Sequence, residues 1–362
     1  MMTDKASPAL AACPRLGMRK SILIRLRAAT GTLLIICLSL LFLILLALLL
    51  SKTPGRTLYY FFLGPLRNVY SFGNMLNSAI PLILGGIGVS IAMRAGRFNL
   101  GGEGQIYAGA FVTTALALAL SHWGIAGAVM ALLAGVFFSG FASGLSGLFK
   151  ARWDASELIT SFLISNVLIL LTNYLVTGPF LDPATNLQST RKIPEVFHLP
   201  LILRPSNLSA ALFVALAAAL LAQLFLTRTR RGYEIRAAGA NEMFARYGGI
   251  NTKVNTTAVM FLSGAFYGLA GALAVYGTYY GTVKEFSSGM GWNGLAAALI
   301  ARFRPPALIP AGIFFAWINS GARIAMQNSD MSFETVAIVQ AVVFFLVTSM
   351  SLRNIFGGKE GR

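Results

Sequence analysis

The sequence predicts an all-α, polytopic bundle of membrane-spanning helices. Three observations lead there: 56% of the 362 residues are hydrophobic and only 11% are charged, the mean hydropathy is +0.71, and apolar runs recur along nearly the whole chain. Ordinary soluble domains carry about 25% charged residues, and a water-soluble fold of this length has too little interior for so much apolar surface. Length alone would allow two or three soluble domains, but the even spread of apolar runs leaves one membrane domain and no second folded module.

The opening residues Met1 to Thr30 are basic, and Gly31 to Leu50 follow without a charge. That run is longer than the apolar core of a cleavable signal peptide and lacks a small-residue cleavage site after it, so it predicts a retained first span entered from the cytoplasm. Nine further spans are predicted at Phe72–Met93, Gly101–Leu120, Gly124–Phe149, Leu158–Gly178, Asn207–Leu226, Val254–Tyr280, Gly289–Ala301, Ala307–Ala322 and Glu334–Met350. The eighth and ninth are short and separated by Arg302-Phe303-Arg304-Pro305-Pro306, which fits either a tight helical pair or partly re-entrant segments. About ten transmembrane helices result, with eight or nine complete crossings left open.

The net charge of +17 is not a nucleic-acid footprint, because the Lys and Arg residues fall in short stretches between apolar runs. With a cytoplasmic N-terminus, 21 of the 29 fall on the inner side, which the positive-inside rule favours, with both ends in the cytoplasm. Two connections stand apart. Residues 179–206 form a polar, proline-rich external loop without helical period, suited equally to a plain surface role and to an external soluble partner. Residues 227–253 read TRTRRGYEIRAAGANEMFARYGGINTK and predict one or two short amphipathic helices with glycine breaks across the cytoplasmic face.

No catalytic constellation emerges. His122 and His198 stand in predicted outer connections without ligand spacing, and Cys13 and Cys37 suggest neither a disulfide nor a metal site. The chain has no Gly-x-x-x-x-Gly-Lys-Ser/Thr phosphate loop, so ATP would have to be bound by another polypeptide. Polar groups near membrane depth cluster at two glycine-rich breaks. The first, residues 94–105, contains Asn99, Glu103 and Gln105; the second, Ser287 to Gly294, contains Trp292 and Asn293. A carboxylate at mid-bilayer costs about 2.5–3.5 kcal/mol on insertion scales, so Glu103 is expected to face protein or water. The glycines serve close helix packing or pocket-lining broken helices, or both at once. One break follows an inner connection and the other an outer one, as inverted repeats would require. Trp292 suits interfacial anchoring as well as contact with a ring. On the fifth span, helical spacing puts Glu157, Thr160, Ser161 and Ser165 on one face, for interhelical hydrogen bonds or for transport.

Three stretches resemble the ABC permeases of the branched-chain amino acid, ribose and simple-sugar group, above all the nucleoside-type branch. They are Arg94 to Gln105 (RAGRFNLGGEGQ), Arg231 to Asn241 (RGYEIRAAGAN) with Gly249-Ile250, and the glycine-rich opening from Ser287 to Leu299. The resemblance runs from about Phe72 to Leu352. It departs from the branch at Ser165-Asn166, where Asn is expected one position earlier, and at Phe244-Ala245, in place of two small residues.

What the resemblance implies is a transmembrane permease domain over 31–352 between cytoplasmic tails at 1–30 and 353–362, in a bacterial inner membrane and surrounded by lipid. Its expected partners are a second permease subunit, related or identical, cytoplasmic ABC ATPases that bind ATP and Mg, and an external substrate-binding protein. The solute would be a nucleoside or simple sugar, with ribose and branched-chain amino acids as alternatives. Asn99, Glu103, Gln105, Trp292 and Asn293 would line the pathway. The 227–253 loop would couple to the ATPase through Arg236, Ala237, Ala238, Gly239, Asn241, Glu242, Ala245, Gly249 and Ile250. Within it, Gly239 is expected to let a short helix turn, the three alanines to fit a groove on the ATPase, and Arg236 and Glu242 to fix its orientation. A secondary transporter stays open as a rival, although its usual intramembrane carboxylates are sparse here. An intramembrane enzyme lacks its nucleophile or metal cluster, and composition alone leaves a structural scaffold open.

Overall fold

The computed structural model describes residues 51–330, together with 41, 42, 44, 45, 48, 338, 341, 342 and 345. The predicted tails at 1–30 and 353–362, both cysteines and most of the first and last spans therefore lie outside the described residues. The described chain is a helical membrane bundle. Its elements are α1 (Pro54–Phe62), α2 (Val69–Arg94), α3 (Gly102–Ala119), α4 (Gly124–Trp153), α5 (Glu157–Thr177), β1 (Leu201–Leu203), β2 (Leu208–Ser209), α6 (Ala211–Arg228), α7 (Arg230–Ala240), α8 (Glu242–Tyr247), α9 (Thr252–Ala274), α10 (Met290–Ile300) and α11 (Leu308–Asn328).

Among the described residues, six helical stretches are long and apolar enough to cross a membrane: Val69–Arg94, Ser121–Trp153, Glu157–Thr177, Ala211–Arg228, Thr252–Tyr279 and Pro305–Asn328. The predicted third span is present as α3, but Glu103 and Gln105 make its first turn polar. The predicted eighth span is present as α10, whose 11 residues reach about 16 Å, roughly half of a 30 Å hydrocarbon core.

Helices α2 and α9 form the enclosed centre, while α5 and α6 turn most of their surface outward. Helix α2 starts at Asn68, whose side chain accepts from Ser71 N at 2.7 Å, and runs unbroken through Pro81. Small residues let the helices approach closely. A Cβ on Gly268 of α9 would lie 2.7 Å from the Ser139 Cβ of α4, and one on Gly86 of α2 would lie 2.6 Å from Leu308. Outward-facing Phe162, Leu163, Val167 and Leu170 on α5 suit hydrocarbon or a membrane partner, where they gain nothing from being inside.

Segment 179–206 takes extended and turn conformations against the end of α9. Thr190 N and Ile193 N donate to Thr282 O and Tyr280 O at 2.9 and 2.8 Å, and His198 stacks on Tyr280 with ring centroids 3.9 Å apart. Leu201 and Leu203 pair antiparallel with Ser209 and Leu208. At the other end, α7 and α8 are the two short helices expected in 227–253.

Candidate functional site: a half-helix junction and an apposed cavity

The two glycine-rich breaks meet. Glu103, in the first turn of α3, accepts from Gly289 N at 3.0 Å and Gly291 N at 2.9 Å. A carboxylate is thus set on the orphan N–H groups that open α10, where the helix dipole favours negative charge. Gly289 at φ +82 supplies the left-handed residue that starts the helix. Gly291 lies so near the start of α3 that a Cβ there would stand 2.4 Å from Glu103 N.

The segment that opens α3 is tied down as well. Gly101 N donates to Asn99 Oδ1 at 2.9 Å, Leu100 N to Ser161 Oγ at 3.1 Å, and Gly104 N to Ser165 Oγ at 2.9 Å. The polar face of α5 therefore acts through interhelical hydrogen bonds, with Thr160 bonded back to Ser156 O within its own helix. The Asn99 amide lies within 3.0 Å of Gln105 Oε1, Ser143 Oγ and Ser263 Oγ. One buried side chain so ties the 95–101 segment to α3, α4 and α9. Gln105 is wholly enclosed.

A cavity of about 1030 Å³ adjoins this junction, lined by Asn77, Thr278, Tyr279, Trp292, Asn293 and Arg323 among others. Asn77 Nδ2 donates to Thr278 Oγ1 at 2.9 Å, Arg323 Nη2 donates to Ser78 Oγ at 3.3 Å, and Trp292 exposes 38% of its surface. The Asn293 side chain makes no hydrogen bond among the described residues. A space of only about 10 Å³, bounded by Asn99, Glu103, Tyr267, Gly291 and Trp292, lies on the other side of Trp292. Of the five predicted pathway residues, Trp292 and Asn293 thus face the large cavity, Glu103 joins α3 to the half-length α10, and Asn99 and Gln105 belong to the buried network. Sequence reasoning missed Thr278, Tyr279 and Arg323. The lone charge of the 308–328 stretch was the available signal.

At the face carrying α7 and α8, a second cavity of about 650 Å³ is lined by Arg97, Lys150, Glu242, Arg246 and Thr256 among others. Arg97 Nη2 meets Glu242 Oε2 at 2.8 Å, and Arg246 meets Glu242 Oε1 at 2.6 Å. Lys150 lies 3.7 Å from Glu157. Burial pushes the Glu242 carboxyl up, but the Arg246 hydrogen bond and the charge and hydrogen bond of Arg97 outweigh it and hold the group below its ordinary 4.5.

The 227–253 residues depart from the expected roles in three ways. Gly239 lies inside α7 rather than at a turn; a Cβ on it would stand 2.1 Å from Arg94 O, so it is a packing glycine against the end of α2. The break falls at Asn241, whose side chain accepts from Phe244 N at 2.9 Å as an N-cap. Ala245 is 1% exposed and Glu242 points to Arg97, so both face the bundle rather than outward. Gly249, at φ +78, ends α8, with Ile250 N donating to Ala245 O at 3.0 Å in the pattern of a glycine cap. Outward lie a shallow groove lined by Tyr233, Arg236, Ala237, Ala240, Asn241 and Phe244, and the exposed Met243 and Tyr247. Ala238 is half-buried.

Comparison with known proteins agrees with this architecture. Residues 71–348 match the family model described as branched-chain amino acid transport system / permease component. The chain is 34% identical to the probable riboflavin import permease protein of Treponema pallidum, over 83% of its own length and 80% of the relative's. It is 30% identical to the glucose ABC transporter permease protein of Haloferax volcanii, over 83% and 82%, and 29% identical to the guanosine ABC transporter permease protein of Bacillus subtilis, over 81% and 86%. A multi-pass helical bundle with discontinuous helices, matched over most of its length, places this chain in the family of ABC permease components of the branched-chain amino acid transport type.

Proposed function

We propose that the chain forms the translocation pathway of an ATP-driven importer for a nucleoside or a closely similar ring-bearing polar solute. The observation that carries this is the cavity of about 1030 Å³ set against the half-helix junction, where amides (Asn77, Asn293), a hydroxyl (Thr278), aromatic rings (Tyr279, Trp292) and one cation (Arg323) converge. Amides and a guanidinium suit ring carbonyls and sugar hydroxyls, and the rings supply a stacking face. Riboflavin and guanosine, carried by two of the relatives named above, are small solutes with planar rings, whereas glucose is the sugar alternative.

The fuller organisation belongs to the same proposal. It comprises a transmembrane permease domain over 31–352 with about ten helices, related as inverted repeats through α3 and α10, and cytoplasmic tails at both ends in an inner membrane. Residues 179–206 form the external loop that meets a substrate-binding protein, and 227–253 the coupling loop. Partner ATPases hold ATP and Mg and bear on the Phe244 groove, and Met243, Phe244 and Tyr247 supply the apolar contact that Ala245 does not. A second permease subunit covers α5, where the exposed Asn166 would otherwise place an amide toward lipid. Gentle purification should recover an ATPase and a second permease with this chain. Recovery of a self-contained transporter, active without ATP, would refute the reading.

A further inference from the structure

The acidic residues at the α7–α8 face are unevenly shared. At one corner Arg97, Lys150 and Arg246 are matched by Glu157, Glu242 and Asp154. At the other, Arg94 closes α2, Arg236 lies on α7, and Arg302 and Arg304 stand in the turn between α10 and α11. Among the described residues, Arg94, Arg236 and Arg304 enter no ion pair, and Arg236 Nε is buried without an acceptor.

This corner is built rather than incidental. Gly96 and Gly239 let α7 settle on the end of α2, bringing Arg236 near Arg94. Arg94 Nε donates to Phe303 O at 3.0 Å, which fixes the turn to the same helix end. Arg302 and Phe303 both hold left-handed backbone, at φ +51 and +55, an arrangement retained only where the surroundings enforce it. Phe303 N and Arg304 N donate to Ala298 O and Ala301 O at 2.9 and 3.1 Å. The Gly239 contact with Arg94 O and the Arg94 bond to Phe303 O thus bring α7, the end of α2 and the turn that carries Arg302 and Arg304 to one place. Like charges held together in a fixed frame call for an anion.

Position selects the anion. Arg94 is the last residue of a 26-residue spanning helix, and the spanning stretch 305–328 begins directly after Arg304, so the cluster sits at the boundary between hydrocarbon and water. Basic pockets between helices at that depth suit phospholipid headgroups. We propose that Arg94, Arg236, Arg302 and Arg304 bind the headgroup phosphate of an anionic phospholipid, which staples α7 to the ends of α2 and α10.

The test uses the full transporter complex, purified in neutral detergent and titrated with phosphatidylglycerol, phosphatidylcholine or inorganic phosphate, and read by native mass spectrometry and thermal unfolding. Saturable retention of phosphatidylglycerol with a rise in unfolding temperature is expected, with neither effect from phosphatidylcholine or inorganic phosphate. R302Q/R304Q should weaken retention about tenfold or more, R302K/R304K should largely preserve it, and R191Q/K192Q in the far loop should leave it unchanged. Three results would overturn the proposal: no preference for the anionic lipid, a preference that survives R302Q/R304Q, or an equal response to inorganic phosphate. Loss of the ATPase from the R302Q/R304Q complex with lipid retention intact would make the cluster a protein-docking face, and would overturn it equally.

Discussion

Replacing Asn99 with alanine separates a packing role from a transport role at the centre of the site. Asn99 Oδ1 accepts from Gly101 N at 2.9 Å and from Gln105 Nε2 at 3.2 Å, while its Nδ2 lies 3.0 Å from Gln105 Oε1. Alanine would strand the buried Gly101 N–H and the enclosed Gln105 amide. Each buried group left without a partner costs about 1–3 kcal/mol, so the loss is about 2–6 kcal/mol, a large share of the roughly 5–15 kcal/mol typical of a whole domain. The assay is thermal unfolding of the purified protein beside immunoblot abundance in membranes and initial uptake rate. Unfolding temperature and abundance should fall by an amount that accounts for the lost uptake. If N99A instead keeps the parent's unfolding temperature and abundance while uptake collapses, Asn99 touches the solute and the network reading fails.

The other predictions follow from the same geometry. N293A, which removes an amide that bonds nothing in the described protein, should cut uptake several-fold with unfolding temperature unchanged; parallel losses of abundance and uptake would return Asn293 to packing. G239A places a Cβ 2.1 Å from Arg94 O and should displace α7, lowering both unfolding temperature and substrate-stimulated ATP hydrolysis, and a fully stable, fully coupled G239A would show that α7 does not pack as described. Because the Glu242 pKa is depressed, its contacts with Arg97 and Arg246 stabilise the docked α8 fully above its ordinary 4.5 and lose that contribution as pH falls through the lowered value. Hydrogen exchange at 242–247 should therefore quicken as pH falls below about 4.5, after correction for intrinsic rates, and E242Q should erase that dependence; the same pH dependence in E242Q would assign it elsewhere.

Much of this was legible in the sequence because lipid imposes simple demands. Uncharged runs must be helices, and the breaks at 94–105 and 287–294 were visible as glycines and polar residues at the edges of such runs. Sequence did not reveal that the breaks touch each other, since Glu103 and Gly291 are joined only by tertiary packing. Gly239 reads as a turn glycine by composition, and only the nearness of Arg94 O makes it a contact point. Ala245 and Phe244 are adjacent and both apolar, yet one faces the bundle and the other the groove. That difference depends on how α8 is docked by Glu242 and Arg97, a pairing 145 residues apart in sequence. Arg323 reads in sequence only as a lone charge, and it is the folded arrangement that sets it on the cavity wall.

The central claim is that this chain is a solute pathway driven by a motor it does not itself contain. Its most direct test is guanosine uptake into proteoliposomes holding the co-purified complex, supplied with its external binding protein, with and without ATP and Mg. The account predicts accumulation above the outside concentration only when ATP and Mg are both present, and its loss when M243A/F244A/Y247A removes the exposed contact surface of α8. ATP-independent accumulation driven by an ion gradient, by this chain alone, would contradict it.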